Sequence, residues 1–112
     1  MVKPASLNYH LHFFFDLEQN ADVEMIHQAL GQDLPKQVKI FPLLLRPAGP
    51  LPKPMFMLEF GQESLDTVLE QLQPYQTQYS IFIHPDLENE YLAHTQYAIW
   101  LGQPLKLNLD AL

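Results

Sequence analysis

The sequence predicts an α+β fold: a ferredoxin-like βαββαβ sandwich with an appended C-terminal helix and short strand. Three observations predict it. Aromatic and β-branched stretches alternate with stretches whose apolar residues recur at helical spacing, in the order β-α-β-β-α-β. The chain has 112 residues, 47% hydrophobic and 17% charged, which suits one core of ordinary composition. No repeat or linker divides it, so residues 1–112 are read as a single domain.

Asn8 to Phe15, dense in aromatics and closed by Asp16 and Asn20, reads as the first strand. Asn20 can cap a helix whose apolar positions are Val23, Ile26 and Leu30, ending at Gly31. Val38 to Leu45 follows as the second strand. The next segment, Arg46 to Pro54, holds four prolines and a glycine in nine residues and can be neither helix nor inner strand. Met55 to Phe60 is the third strand. Leu65, Val68, Leu69 and Leu72 stripe a second helix that Pro74 stops. Tyr79 to His84 is the fourth strand, ended by Pro85. Leu87, Tyr91, Ala98 and Leu101 predict a third helix with Gly102 as its C-cap, and Leu105, Leu107 and Leu109 alternate as a last short strand. The six-element pattern implies the sheet order 4-1-3-2, with the fourth strand expected antiparallel to the first and the third expected parallel to it.

Composition excludes several functions. Thirteen acids against six Lys and Arg give a net charge of −7, and no basic cluster offsets it, so nucleic acid is not an expected partner. Without cysteine there are no disulfides, zinc ribbons or thiol chemistry, and any metal falls to His, Asp, Glu or backbone oxygen. No leader is visible after Met1. The runs Phe13-Phe14-Phe15 and Leu43-Leu44-Leu45 are far shorter than the roughly 20 apolar residues of a membrane span. A cytoplasmic protein with no membrane partner is the expectation.

Five histidines carry the chemistry: His10, His12, His27, His84 and His94. His10 and His12 lie on one face of a strand, about 6.6 Å apart by strand rise. Tyr9, Leu11, Phe13 and Phe15 form the greasier opposite face. Under the assumed sheet order, His84, the 46–54 loop and His94 meet the His10 edge. Several imidazoles in one concave spot suit Fe, Zn, Cu or Ni. The competing readings are plain: two half-exposed polar residues on a strand, a strand end at His84-Pro85, and a core histidine at His94. His27 has no partner and reads as structural.

Three blocks resemble the DOPA 4,5-dioxygenase family of small fungal and bacterial proteins. Tyr9-His10-Leu11-His12-Phe13-Phe14-Phe15-Asp16 is similar to that family's opening YHxH strand. Arg46 to Met55 is similar to its RPxGPHPxxM loop. Ile83-His84-Pro85 with His94-Thr95 and Ala98-Ile99-Trp100-Leu101-Gly102 is similar to its HP…DHT…AxWLG segment. The chain departs from the pattern at Leu51, where the family has His, and at Ala93, where it has Asp.

The resemblance implies extradiol opening of a catechol (a DOPA-like ring) by O2 at a non-haem divalent metal, Fe(II) in the cell and Zn possible as purified. On that basis His10, His12 and His84 are the metal-ligand candidates and His94 the ligand or acid–base group. Glu59, Asp86, Glu88 and Glu90 are the nearby carboxylates. Arg46, which suits a substrate carboxylate, and Tyr9 are the substrate-binding candidates. Two alternatives stand beside it. With Leu51 and Ala93 in place of the motif residues, the chain could bind a metal or aromatic ligand without turnover. It could also be a plain module that dimerises through an open sheet face carrying Phe14, Phe82 and Met55 or Met57, and a homodimer is expected.

Overall fold

The computed structural model describes residues 7–112, and residues 1–6 lie outside the described residues. Strand β1, Asn8–Phe14, alternates between two faces. Leu11 and Phe13 point to the helices, while His12 and Phe14 point the other way, and both sets are buried. The alternation is that of a strand with side chains packed on both faces. Helix α1 is Asn20–Asp33, strand β2 is Lys39–Ile40, and strand β3 is Met55–Gly61. Helix α2 is Leu65–Leu72 and strand β4 is Ile81–Pro85. Short helix α3, Glu90–His94, and edge strand β5, Ile99–Leu101, follow.

The five strands form one sheet in the order β2-β3-β1-β4-β5, antiparallel throughout. Its first four strands keep the expected ferredoxin-like order. Val23 and Leu30 of α1 and Val68 and Leu72 of α2 pack on one face against Leu11, Phe13, Phe56, Leu58, Ile81 and Ile83. Phe13 and Phe56, directly opposite across the β1–β3 ladder, stack at 4.7 Å between ring centroids. Among the described residues no helix is long and apolar enough to cross a membrane.

Several expectations are corrected. First, β3 runs antiparallel to β1, not parallel, with Asn8 opposite Gly61 and Phe14 opposite Met55. The crossover through α1 makes β2 parallel to β1, and the direct return from β2 to β3 reverses direction again. The proline-rich loop therefore joins β3 at the Phe14 end of β1, away from His10. It reaches the histidines by folding back across the sheet: the tight turn Ala48–Leu51, with Gly49 at φ +52°, drops Leu51 onto Phe14 and Phe82.

Second, the segment 87–101 is not one helix. Asn89 accepts the Leu92 amide at 3.0 Å to start α3, which stops at His94. Ile99, Trp100 and Leu101 then extend the sheet beside β4, as β-branched and aromatic residues favour. Gly102 follows a strand instead of capping a helix, at φ +73° with the Gln76 and Tyr79 carbonyls where a Cβ would sit. Third, β2 is two residues long instead of Val38–Leu45. Pro42 has no amide to give the ladder, and pairing resumes only at the Leu44–Met55 bridge.

The last expected strand, Leu105 to Leu109, makes no ladder. Leu105 and Leu107 lie instead with Trp100 against Phe14, Leu51 and Phe82. The Asn108 amide donates to the Pro50 carbonyl at 2.8 Å, tying this segment to the proline turn. Phe14 and Phe82, the residues on which the homodimer expectation rests, are thus covered by their own chain, at 1% and 0% exposure.

Candidate metal and substrate site

Beneath this cover lies a cavity of about 310 Å³, within the range of small-molecule sites. Its lining includes His10, His12, His84 and His94, together with Leu51, Asp86, Glu90 and Ala93. The four histidines singled out in the sequence therefore converge. Two adjacent strands and one helix bring them together: His10 faces His84 across the β1–β4 ladder, and His12 is two residues further along the same face.

The centre of the site is a pair. The His12 and His84 Nε2 atoms are 3.1 Å apart, with both side chains buried. The Pro85 carbonyl, 3.1 Å from His84 Nδ1, can only accept, so His84 Nδ1 carries the hydrogen. In neutral His84 the Nε2 is then an acceptor, and His12 Nε2–H donates to it. His12 Nδ1 is left as a buried nitrogen with no hydrogen-bond partner. Burial, reinforced by the neighbouring His84, lowers the His12 pKa from 6.5 to about 3. Burial and then His94 lower that of His84 to about 4, against the opposing pull of the Pro85 carbonyl. Both imidazoles are neutral at physiological pH, the form in which imidazole binds a metal.

Aromatic rings hold the pair in place. His12 stacks near Phe14 and Phe82, with centroids 6.4 and 6.1 Å away. His94 stacks on His84 at 4.1 Å, and its Nδ1 donates to the Glu90 carbonyl at 2.7 Å, one helical turn back. The free ring nitrogen of His94 is Nε2. His10 is drawn to the rim instead, where its Nε2 lies 3.7 Å from Glu59 Oε2, while Lys39 approaches the other oxygen, Oε1, at 3.9 Å.

The donor set fits a metal in part. Two Nε2 atoms 3.1 Å apart would suit metal–nitrogen bonds of roughly 2.0–2.1 Å once the His12 hydrogen moves from Nε2 to Nδ1. His84 has the outer hydrogen bond that orients a ligating imidazole, and His12 lacks one. Among the described residues no group of three or more His, Cys, Asp or Glu is disposed to hold a metal. His12 and His84 are thus the two closest nitrogen donors, with His10 at the rim of the same cavity, its ring centroid 5.2 Å from that of His84.

Two expected substrate-binding residues lie elsewhere. Tyr9 faces the helices, stacked on Phe60 at 5.8 Å within the main core. Arg46 is exposed and does not line the cavity. Pro50 on the walls comes from the 46–54 loop expected there, and Leu87 from the lead-in to α3, while residues not anticipated from sequence include Ala111 and Leu112. For the last two, the alternation of Leu105, Leu107 and Leu109 was the available signal: it marks a segment that lies on a surface.

Residues 9–111 match the model of the Dopa 4,5-dioxygenase family. The chain belongs to the Dopa 4,5-dioxygenase family. It is also similar to a solved structure from Nostoc punctiforme PCC 73102, described as a "putative dioxygenase", at 26% identity and a TM-score of 0.84. That match covers 96% of this chain and 95% of the other. No curated protein matches. Family membership and this likeness support a dioxygenase-like function, and the four histidines that line the cavity lie inside the family match.

Proposed function

We propose that this member of the Dopa 4,5-dioxygenase family is an extradiol dioxygenase that opens a catechol ring with O2 at a divalent metal. The observation that carries the proposal is the buried pair of neutral imidazoles, His12 and His84, whose Nε2 atoms are 3.1 Å apart beside a cavity. Iron(II) held by these two nitrogens would supply open positions for the catechol oxygens and O2, with zinc as a redox-inert occupant. Leu51, Phe14 and Phe82 keep water from the far side of the pair. His94, with Nδ1 committed to the Glu90 carbonyl, has Nε2 free to take a catechol proton and return it.

The test is oxygen uptake with a catechol after anaerobic loading with Fe(II). Uptake in the parent, lost in His12→Phe, is the expected result. No uptake with any catechol, in protein that carries iron, overturns the reading.

A second reading, binding without turnover, draws on Leu51. Where the family motif has His, this chain has a buried leucine packed on Phe14 and Phe82. Iron binding without oxygen uptake is its signature.

A further inference from the structure

The charges around the cavity are of one sign. Asp86 and Glu90 line it, and both residues are exposed at its mouth. Among the described residues, neither has a Lys or Arg partner, and no Lys or Arg lines the cavity. Arg46, the cation expected to meet a substrate carboxylate, lies elsewhere on the surface. The net charge of −7 adds a field that repels anions before they arrive. The walls are otherwise apolar or imidazole: Leu51, Leu87, Ala93 and the histidines.

We infer that the cavity selects aromatic diols whose side chain bears an amine over those bearing a carboxylate, with Asp86 and Glu90 as counter-charges for the ammonium. The aromatic diol rests on the ring-cleavage reading; the preference for a cationic side chain rests on the lining alone. An ammonium seated in the cavity gains from both carboxylates. A carboxylate in the same position meets repulsion and finds no guanidinium to compensate.

Binding to metal-free protein at pH 8, above the ordinary imidazole range, separates the two ideas. The probes are tyramine, 4-propylphenol and 3-(4-hydroxyphenyl)propionate, phenols with para side chains of similar length that differ in charge. Followed by NMR titration, tyramine is expected to bind about fivefold or more tighter than 4-propylphenol, with the anion weakest. In Asp86→Asn/Glu90→Gln, tyramine and 4-propylphenol should bind equally. An anion that binds as well as tyramine, a tyramine advantage that survives the double variant, or no saturable binding of any probe overturns the inference. Oxygen uptake reports separately. A correct charge ranking without uptake sinks only the dioxygenase reading, and uptake with the ranking inverted sinks only the charge selection.

Discussion

His12 and His84 are 72 positions apart in sequence, yet their Nε2 atoms lie 3.1 Å apart, diagonal to one another across the β1–β4 ladder. Each ring sits in apolar surroundings that disfavour its charged form, and each ring's charge would also disfavour the other's. A pair of this kind leaves a mark on stability as well as on ligand binding.

The first prediction is that acid weakens the fold earlier than carboxylate titration would. Both pKa values are depressed in the folded state, to about 3 and about 4, from 6.5 when unfolded. The unfolded chain therefore binds more protons below pH 6.5. The contribution of neutral His12 and His84 is full above that value and is lost as pH falls from 6.5 toward 4 and then 3. The slope approaches about 1.4 kcal/mol per pH unit for each ring. Denaturant unfolding between pH 7 and pH 5 should show the loss, and His12→Phe should make it shallower. A flat profile over that interval would contradict the buried neutral pair.

Metal binding gives the second prediction. One divalent ion per chain should bind at neutral pH, measured by calorimetry and metal analysis. Because His12 and His84 are the two closest nitrogen donors, His84→Gln should weaken binding by roughly 10²-fold or more, above the range seen for outer-sphere changes alone. His10→Gln, which removes a rim residue paired with Glu59, should change it only a few-fold. Equal losses in the two variants would mean that His10 is a ligand after all.

Leu51 is the third. Leu51→His puts an imidazole on the cavity wall at the cost of burying a polar ring against Phe14 and Phe82, about 1–3 kcal/mol. Catechol-dependent oxygen uptake should nonetheless rise, by as much as the 10²–10⁴-fold a proton-transfer group commonly contributes. Ala93→Asp added to it controls for the orientation of His94. If the double variant binds iron and still consumes no oxygen, turnover is not the function of this site.

How much of this was legible beforehand can be seen in particular residues. The aromatic density of β1 and the stripe Leu65, Val68, Leu69, Leu72 are local patterns, so β1, β3, α2 and β4 emerge within a residue or two. The burial of His12 and Phe14 on the face expected to be open depends instead on the distant segments that cover it. The convergence of His10, His12, His84 and His94 follows from the β1–β4 pairing and the short excursion to α3. Local pattern fails where two periods coincide: Leu87, Tyr91, Ala98 and Leu101 satisfy helical spacing, yet the last of them belongs to β5. Tyr91 in fact remains 57% exposed. It fails again at Arg46 and Tyr9, whose positions depend on which way a loop folds and which strand face meets the helices. The approach of Pro50 to Asn108 is a tertiary contact with no local signature.

The fourth prediction concerns Gly102. Its φ of +73° and the carbonyls of Gln76 and Tyr79, 2.5 Å from the place of a Cβ, leave no room for a side chain. Both are backbone atoms that cannot swing away. Gly102→Ala should cost about 1–3 kcal/mol from backbone strain alone, read as a fall in Tm. An unchanged Tm would show that the turn after β5 can readjust.

The hydrogen bond from the Asn108 amide to the Pro50 carbonyl has a consequence for how the molecule breathes. The cover over the histidines is made of two irregular segments, neither in the sheet ladder, while Leu11 and Ile83 sit opposite each other in its middle. Amide exchange should separate the two. Asn108 should exchange through small local openings at low free energy, and Leu11 and Ile83 only when the whole domain unfolds. Access to the His12–His84 pair would then be set by the looser of these clocks, and a ligand seated against that pair would slow exchange at Asn108 first.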